Sequence, residues 1–500
     1  MSRHFPGVRF AVVIAAILAT APALSAQITE AEYAARRAAL TTQLGDGVYL
    51  VLGGREPKEN YENFWQAQNF RYLTGFLEPE ASLIIVRKDG RDRAMMFVEP
   101  KDPAQEVWTG ERLGVDGVRT KTGMEGRDAS TLGAVLDSVL AGGGQLFAVG
   151  DLSRGTPGAD VPVSTAPRTV DDQFLDRLRA RHPQVKVTNA SGNVMALRGV
   201  KSPAEVALIT MAAKVSAAAH KEVLSNIEPG MNEFEIQALA EFTFRRNGGD
   251  RPSYGSIVGS GPNSTTLHYN RDDRYMKAGE VLNMDMSTYY GGYSADITRT
   301  VPVSGKYTPE QRAVYEVVLN AQKAAERQIK LGGSFKPLND SAVAVLKDGL
   351  AKLGLIEAPN ATYDAGGRNV PQYTLYYMHG LGHPIGLDVH DVDAYSRGAF
   401  VEGSAFTIEP GIYVRANTVD IIPATAANQT FRGKIAAAVA KYANVGVRVE
   451  DDYVVTKTGW DRISADAPRE MDEIEKEMAK KATISARDGA TVDAYRKIRP

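Results

Sequence analysis

Five side chains in the second half of this 500-residue sequence have the chemistry to hold metal ions: Asp285, Asp296, His383, Glu409 and Glu450. Four carboxylates and one imidazole make an oxygen-rich donor set with about four negative charges, the complement of two divalent cations. If the five converge, the chemistry implied is hydrolysis by a water activated between two metals. Taken singly, each acid reads more readily as a solvated strand residue than as a ligand, and the weight falls on their order and local phrases.

The first pair sits in strand-like sequence. In Val281-Leu282-Asn283-Met284-Asp285-Met286-Ser287, apolar and polar residues alternate, which puts Asp285 on the face opposite Met284 and Met286. A turn-prone Tyr290-Gly291-Gly292-Tyr293 follows, then a second strand over residues 294–303. A hairpin centred on the step from Tyr290 to Gly291 makes Asp285 and Asp296 direct cross-strand partners, with Cβ atoms about 5 Å apart. Carboxylates that close repel unless a proton or cation lies between them.

The imidazole comes from His379-Gly380-Leu381-Gly382-His383-Pro384-Ile385-Gly386-Leu387-Asp388-Val389-His390-Asp391. Three of the chain's seven histidines fall in this phrase. Its Gly and Pro residues argue against a helical zinc motif, and the glycines allow close backbone approach to a ligand. Glu409, in Phe406-Thr407-Ile408-Glu409-Pro410-Gly411, and Glu450, in Arg448-Val449-Glu450-Asp451, lie on strand-like runs where a strand end can present an acid to a cleft.

The elements that must position these residues fall into two units. Over residues 30–189, short β-rich runs such as 47–52, 81–86 and 94–98 alternate with helical patterns, which argues an α/β domain with a largely buried sheet. Residues 156–168 read as a surface loop within it. Ser202-Pro203-Ala204-Glu205 then has the form of a capping box with Pro in the first turn, predicting a helix that runs toward Ile227. Thr308-Pro309-Glu310-Gln311 repeats that start about a hundred residues on. Each start leads into a long helix, a Gly-containing break, a second helix and strand-rich sequence, a faint duplication that suggests two α/β halves facing each other across a cleft.

Composition excludes several classes. A net charge of −2 offers no basic field for nucleic acid. With no cysteine there is no disulfide and no thiolate nucleophile. Residues 1–26 have the order of a secretory signal: Arg3, His4 and Arg9, an apolar run over 10–18, and small residues before Gln27. The apolar run is shorter than the roughly 20 residues of a spanning helix. The expected location is therefore a bacterial periplasm or the medium, with no membrane attachment once the signal is removed.

In these phrases and their order, the sequence resembles the metallopeptidases of the pita-bread fold, in the branch of aminopeptidase P and prolidase. Asn283-Met284-Asp285 and Ser294-Ala295-Asp296-Ile297-Thr298-Arg299-Thr300 look like its Asp motifs, the phrase from His379 to Asp391 like its His motif, and the sequences around Glu409 and Glu450 like its Glu motifs. Phe70-Arg71-Tyr72-Leu73-Thr74-Gly75-Phe76 and Glu78-Pro79-Glu80-Ala81 are similar to the creatinase-type N-terminal domain of these enzymes. After the signal at 1–26, the resemblance implies a small α/β domain at 27–197, a pita-bread domain of two pseudo-symmetric halves at 198–470 and a tail at 471–500. It implies a homodimer or homotetramer and two divalent ions, manganese foremost with cobalt or zinc as alternatives. Asp285 would hold one ion, His383 and Glu409 the other, and Asp296 and Glu450 would bridge them. Glu409 would also shuttle a proton. His268, His379 and His390 would place substrate, stabilise the oxyanion and protonate the leaving nitrogen, with Tyr413 walling a proline pocket and Arg448 orienting ligands.

The substrate class implied is proline-containing peptides, cut at the Xaa-Pro bond to release the N-terminal residue. An Xaa-Pro dipeptidase, a creatinase-like enzyme without metal and a noncatalytic module with this fold are the other readings. Residues 416–443, between the Glu motifs, are longer than the family pattern; they could lid the cleft, meet a second subunit or form a surface helix.

Overall fold

The computed structural model describes residues 27–59, 61–152, 168–392 and 398–484. The expected signal at 1–26 and almost all of the expected loop at 156–168 lie outside them. No helix among the described residues is long and apolar enough to cross a membrane.

The N-terminal domain is built on a mixed six-stranded sheet in the order Glu125–Asp128, Arg91–Val98, Ser82–Lys88, Gly47–Leu52, Gly144–Val149, Val185–Asn189. The strand Gly47–Leu52 runs antiparallel to Ser82–Lys88 and parallel to Gly144–Val149. Its alternate side chains enter different cores. Val48, Leu50 and Leu52 pack with Leu136, Leu140, Leu175 and Leu178 of the covering helices. Tyr49 and Val51 pack on the other face, in a cluster that takes in Leu208, Ile209, Tyr293, Ile385 and Val454 of the second domain. That shared apolar layer fixes the two domains to each other.

The second domain begins where the capping signals place it. Ser202 and Glu205 bond reciprocally at the start of Pro203–Leu224, as do Thr308 and Gln311 at the start of Pro309–Glu326. Each such cap is worth about 1 kcal/mol. The first helix ends three residues short of Ile227. Partner helices Glu233–Arg246 and Phe335–Lys352 complete two helix pairs that cover the sheets. In the first half Ile257–Ser260, Val281–Asp285 and Thr298–Pro302 form one antiparallel sheet. In the second, Ala405–Ile408 pairs with Asp451–Thr456, and Gly411–Val414 with Val445–Arg448. A bridge between Thr298 and Glu450 joins the halves at the midline.

Two expectations need correction. The hairpin turns at Gly291-Gly292, with Tyr290 opposite Tyr293, so Asp285 faces Thr298 instead of Asp296. Both glycines have positive φ, 55° and 83°, as a two-residue type I′ turn requires. The register differs from the expected one by two residues, an even shift that keeps both acids on the same face. The expected tail also starts too early: Met471–Met478 is a helix whose Ile474 is buried in the main core and whose Glu475 pairs with Lys306 and Arg312.

Residues 416–443 contain a short helix, Thr418–Ile421, and a longer one, Ala426–Tyr442, whose Phe431, Ile435, Val439 and Tyr442 are buried in the core. The longer one packs as a surface helix beside the strand Thr362–Asp364, and Asn428 bonds to the backbone of Asp364. Ile435→Ala should cost ~2–5 kcal/mol in urea unfolding and leave KM unchanged. A raised KM at unchanged stability would instead put this helix in the substrate path.

Candidate active site

The five donors meet where the two sheets join. Asp285 ends Val281–Asp285, and Asp296 follows the turn in the stretch before Thr298–Pro302. Glu450 sits between Val445–Arg448 and Asp451–Thr456, and Thr298 Oγ1 donates to its Oε2 at 2.6 Å. Ligand atoms of Asp296, His383 and Glu450 lie within 4.8 Å of one another. Glu409 reaches the same place, with Oε1 3.7 Å from His383 Nε2. Asp285 joins through Tyr254, whose hydroxyl contacts Oδ1 of both Asp285 and Asp296. That hydroxyl has one proton to give, so the second contact requires a protonated carboxyl or a cation.

Burial raises Asp296, Glu450 and Glu409 above the ordinary carboxylate range, Glu409 to about 7. Repulsion from Asp285 adds to the effect on Asp296, and repulsion from Asp296 to that on Glu450. Burial opposes a charge on His383, but Asp296 and Glu409 beside it raise it to about 9. The cluster thus takes up protons where it would otherwise hold close negative charges. A pair of divalent cations satisfies the same demand, so the donor set fits them.

A pH dependence follows for the metal-free chain. Glu409 titrates ordinarily at 4.5 and here near 7; His383 ordinarily at 6.5 and here near 9. Between those values the folded state binds more protons than the unfolded one, so stability falls as pH rises. The unfolding midpoint should drop between about pH 5 and 9, and excess divalent metal should reverse the drop. A midpoint that rises over this range without metal would contradict the assignment.

Behind the donors lies a polar chain. Arg448 Nη2 donates to Asp285 Oδ2 at 2.6 Å, and Nη1 to the Tyr413 hydroxyl at 3.0 Å. His379 Nδ1 faces the Gly380 carbonyl and its Nε2 the Tyr413 hydroxyl, both at 2.8 Å. A carbonyl only accepts, so Nδ1 carries the proton and Tyr413 donates to Nε2. Burial and Arg448 lower His379 to about 4, which keeps it neutral. Tyr413 is fully buried, so the expectation that it walls the pocket is corrected. Pairing of Gly411–Val414 with Val445–Arg448 turns it toward Arg448, where it orients other groups.

A cavity of about 160 Å³ opens over Asp285 and Asp296, lined also by Tyr254, Ile257, His268, Asn270, Val389 and His390. His390 packs edge-on to His383, with ring centroids 4.2 Å apart. Of the sequence candidates, His268 and His390 therefore reach the cavity, while His379, Tyr413 and Arg448 stand behind the donors. Sequence reasoning missed Tyr254, which no motif marks, and Asp452, whose carboxylate accepts from Asp296 N at 3.1 Å. It also passed over Arg299, fully buried, which donates to the Glu450 carbonyl and to Asp451.

Comparison with known proteins agrees with this architecture. Residues 207–457 match the model of metallopeptidase family M24, and residues 33–147 that of the aminopeptidase P N-terminal domain. The chain belongs to metallopeptidase family M24. It is 32% identical to the Xaa-Pro aminopeptidase of Escherichia coli over 464 residues, 90% of this chain and 98% of that one. It is 30% identical to the Xaa-Pro aminopeptidase of Haemophilus influenzae, over 91% and 98% of the two chains. The solved structure of Pseudomonas aeruginosa aminopeptidase PepP superposes with a TM-score of 0.76 at 30% identity, covering 91% of this chain and 98% of that one. Proline aminopeptidase P II from Yersinia pestis gives 0.75 at 28%, covering 90% and 100%. The pita-bread fold with its smaller N-terminal α/β domain, and the metallo-exopeptidase class, follow from these likenesses.

Proposed function

We propose that this chain is an Xaa-Pro aminopeptidase, hydrolysing the bond before a proline in second position and releasing the N-terminal residue. The observation that carries the reading is the convergence of Asp285, Asp296, His383, Glu409 and Glu450 beneath a cavity lined by His268 and His390. Names of the relatives, which span nearly the whole chain, support the substrate class.

Asp285 would hold one ion, His383 and Glu409 the other, with Asp296 and Glu450 between them. When bound, two divalent cations supply Lewis acidity at the scissile carbonyl and lower the pKa of the attacking water. The oxygen-rich donors favour manganese, with cobalt or zinc as alternatives. Glu409 would also take up and return the proton, beside the imidazole of His383. His268 and His390 face the substrate, where they bind the oxyanion and serve the leaving nitrogen. That nitrogen belongs to proline and has no N–H, so recognition must rest on ring shape and on the preceding carbonyl.

Location in the periplasm or medium of a bacterium, and assembly as a dimer or tetramer, belong to the same reading. The first rests on the signal-like order of residues 1–26 and the lack of cysteine.

The test compares an Xaa-Pro-Xaa peptide, an Xaa-Ala-Xaa peptide and an Xaa-Pro dipeptide, each with added manganese. Cleavage of the Xaa-Pro-Xaa peptide well above the other two is expected. Cleavage of the dipeptide alone would make the chain a prolidase, and no cleavage of any would return it to a noncatalytic or creatinase-like reading.

A further inference from the structure

The linker between the domains enters the catalytic half through two buried cations. Arg198, at the end of the helix Ser191–Arg198, and Lys201 are 3% and 4% exposed, and both converge on Asp391. Arg198 Nη2 donates to Asp391 Oδ1 at 2.6 Å and to Asp388 Oδ2 at 2.5 Å. Lys201 Nζ donates to Asp391 Oδ2 at 2.8 Å and to the Arg198 carbonyl at 2.7 Å. From the N-terminal domain, Asn69 accepts from Arg198 Nη1 at 2.8 Å, and Gln68 donates to the Leu387 carbonyl at 2.7 Å. A Cβ on Gly386 would lie 2.0 Å from Asp391 Oδ2, so the loop closes tightly over this carboxylate.

That loop carries the metal-site histidine. Asp391 N donates to the Pro384 carbonyl at 2.9 Å, and the same carbonyl faces His383 Nδ1 at 3.1 Å. Because a carbonyl only accepts, the neutral ring keeps its proton on Nδ1 and turns Nε2 toward Asp296, 3.4 Å away. Desolvation largely offsets the attraction within a buried ion cluster, so such a cluster is a poor device for stability alone. It is a good device for fixing one geometry.

We infer that Arg198 and Lys201 are positioning residues for His383. They act through Asp391 and the Pro384 carbonyl, so that anchorage of the N-terminal domain sets the metal affinity of the catalytic domain. The inference rests on His383 being a metal ligand, as proposed above.

The test uses full-length Asp391→Asn and Lys201→Met, with His383→Ala in parallel. Manganese affinity is measured by calorimetry and the metal-free unfolding midpoint by thermal scan. Lys201→Met leaves Asp391 paired with Arg198 and so guards against a variant that fails to fold. Manganese affinity at one of the two sites should weaken by about 10–100-fold, with a matching loss in kcat and a smaller change in KM. Wild-type affinity in both cluster variants, beside lost affinity in His383→Ala, would overturn the inference alone and leave the cluster as a domain lock. Unchanged affinity in His383→Ala would overturn the metal assignment and the inference with it.

Discussion

Asp296→Ala should lower kcat/KM for an Xaa-Pro-Xaa peptide by about three orders of magnitude or more, a loss of roughly 4 kcal/mol in transition-state stabilisation. Asp296 is the acid most entangled with the others. It lies within 4.8 Å of His383 and Glu450, shares the Tyr254 hydroxyl with Asp285, and has its backbone N–H held by Asp452. Removing it leaves Glu450 as the single carboxylate placed between the two proposed metal positions. The fold should survive, because the substitution relieves charge repulsion in a buried site. Metal analysis of the purified variant should find at most one ion per chain at an unfolding midpoint no lower than the wild type without metal. Two ions and normal turnover would refute the assignment of Asp296.

Arg448→Ala should act on stability and turnover together. The guanidinium is buried and donates to Asp285, Tyr413, Thr298 and the Leu267 carbonyl. Losing one partner of a buried charged pair costs about 3–5 kcal/mol, because the other charge stays behind unpaired. Turnover should fall about 100-fold or more, since the contacts lead to a proposed metal ligand, to the Tyr413 and His379 pair, and to the neighbour of His268. Arg448→Lys should not rescue either quantity. An ammonium presents its donors from one point and cannot span four acceptors. Near wild-type urea unfolding and turnover in Arg448→Lys would show that only the charge matters.

Legibility in the sequence followed the range of the interaction. Local signals read well: Ser202 to Glu205 and Thr308 to Gln311 mark helix starts because capping is settled within one turn. The β-rich runs at 47–52 and 81–86 mark strands, though nothing in them tells which face meets the second domain. The hairpin register was off by two residues because the turn centre lies one residue further on, at Gly291-Gly292. The side-chain period of two kept Asp285 and Asp296 on one face despite that error. Met471–Met478 was missed because its buried stripe is short and its packing partners lie more than 150 residues away in sequence. Tyr254 was illegible for a different reason: a lone tyrosine before a glycine acquires meaning only when two distant carboxylates arrive at its hydroxyl. Arg198 and Lys201 precede the phrase that marks a helix start, and their anion, Asp391, stands at the end of the His motif.

The central claim is that the five donors hold two catalytic metal ions, and a manganese titration of the metal-free chain tests it most directly. Bound metal and Xaa-Pro-Xaa hydrolysis would be followed in the same samples. The account predicts no turnover without metal and activity that saturates as two ions per chain are bound. Full turnover in the metal-free chain, or saturation with no ion bound, would contradict it.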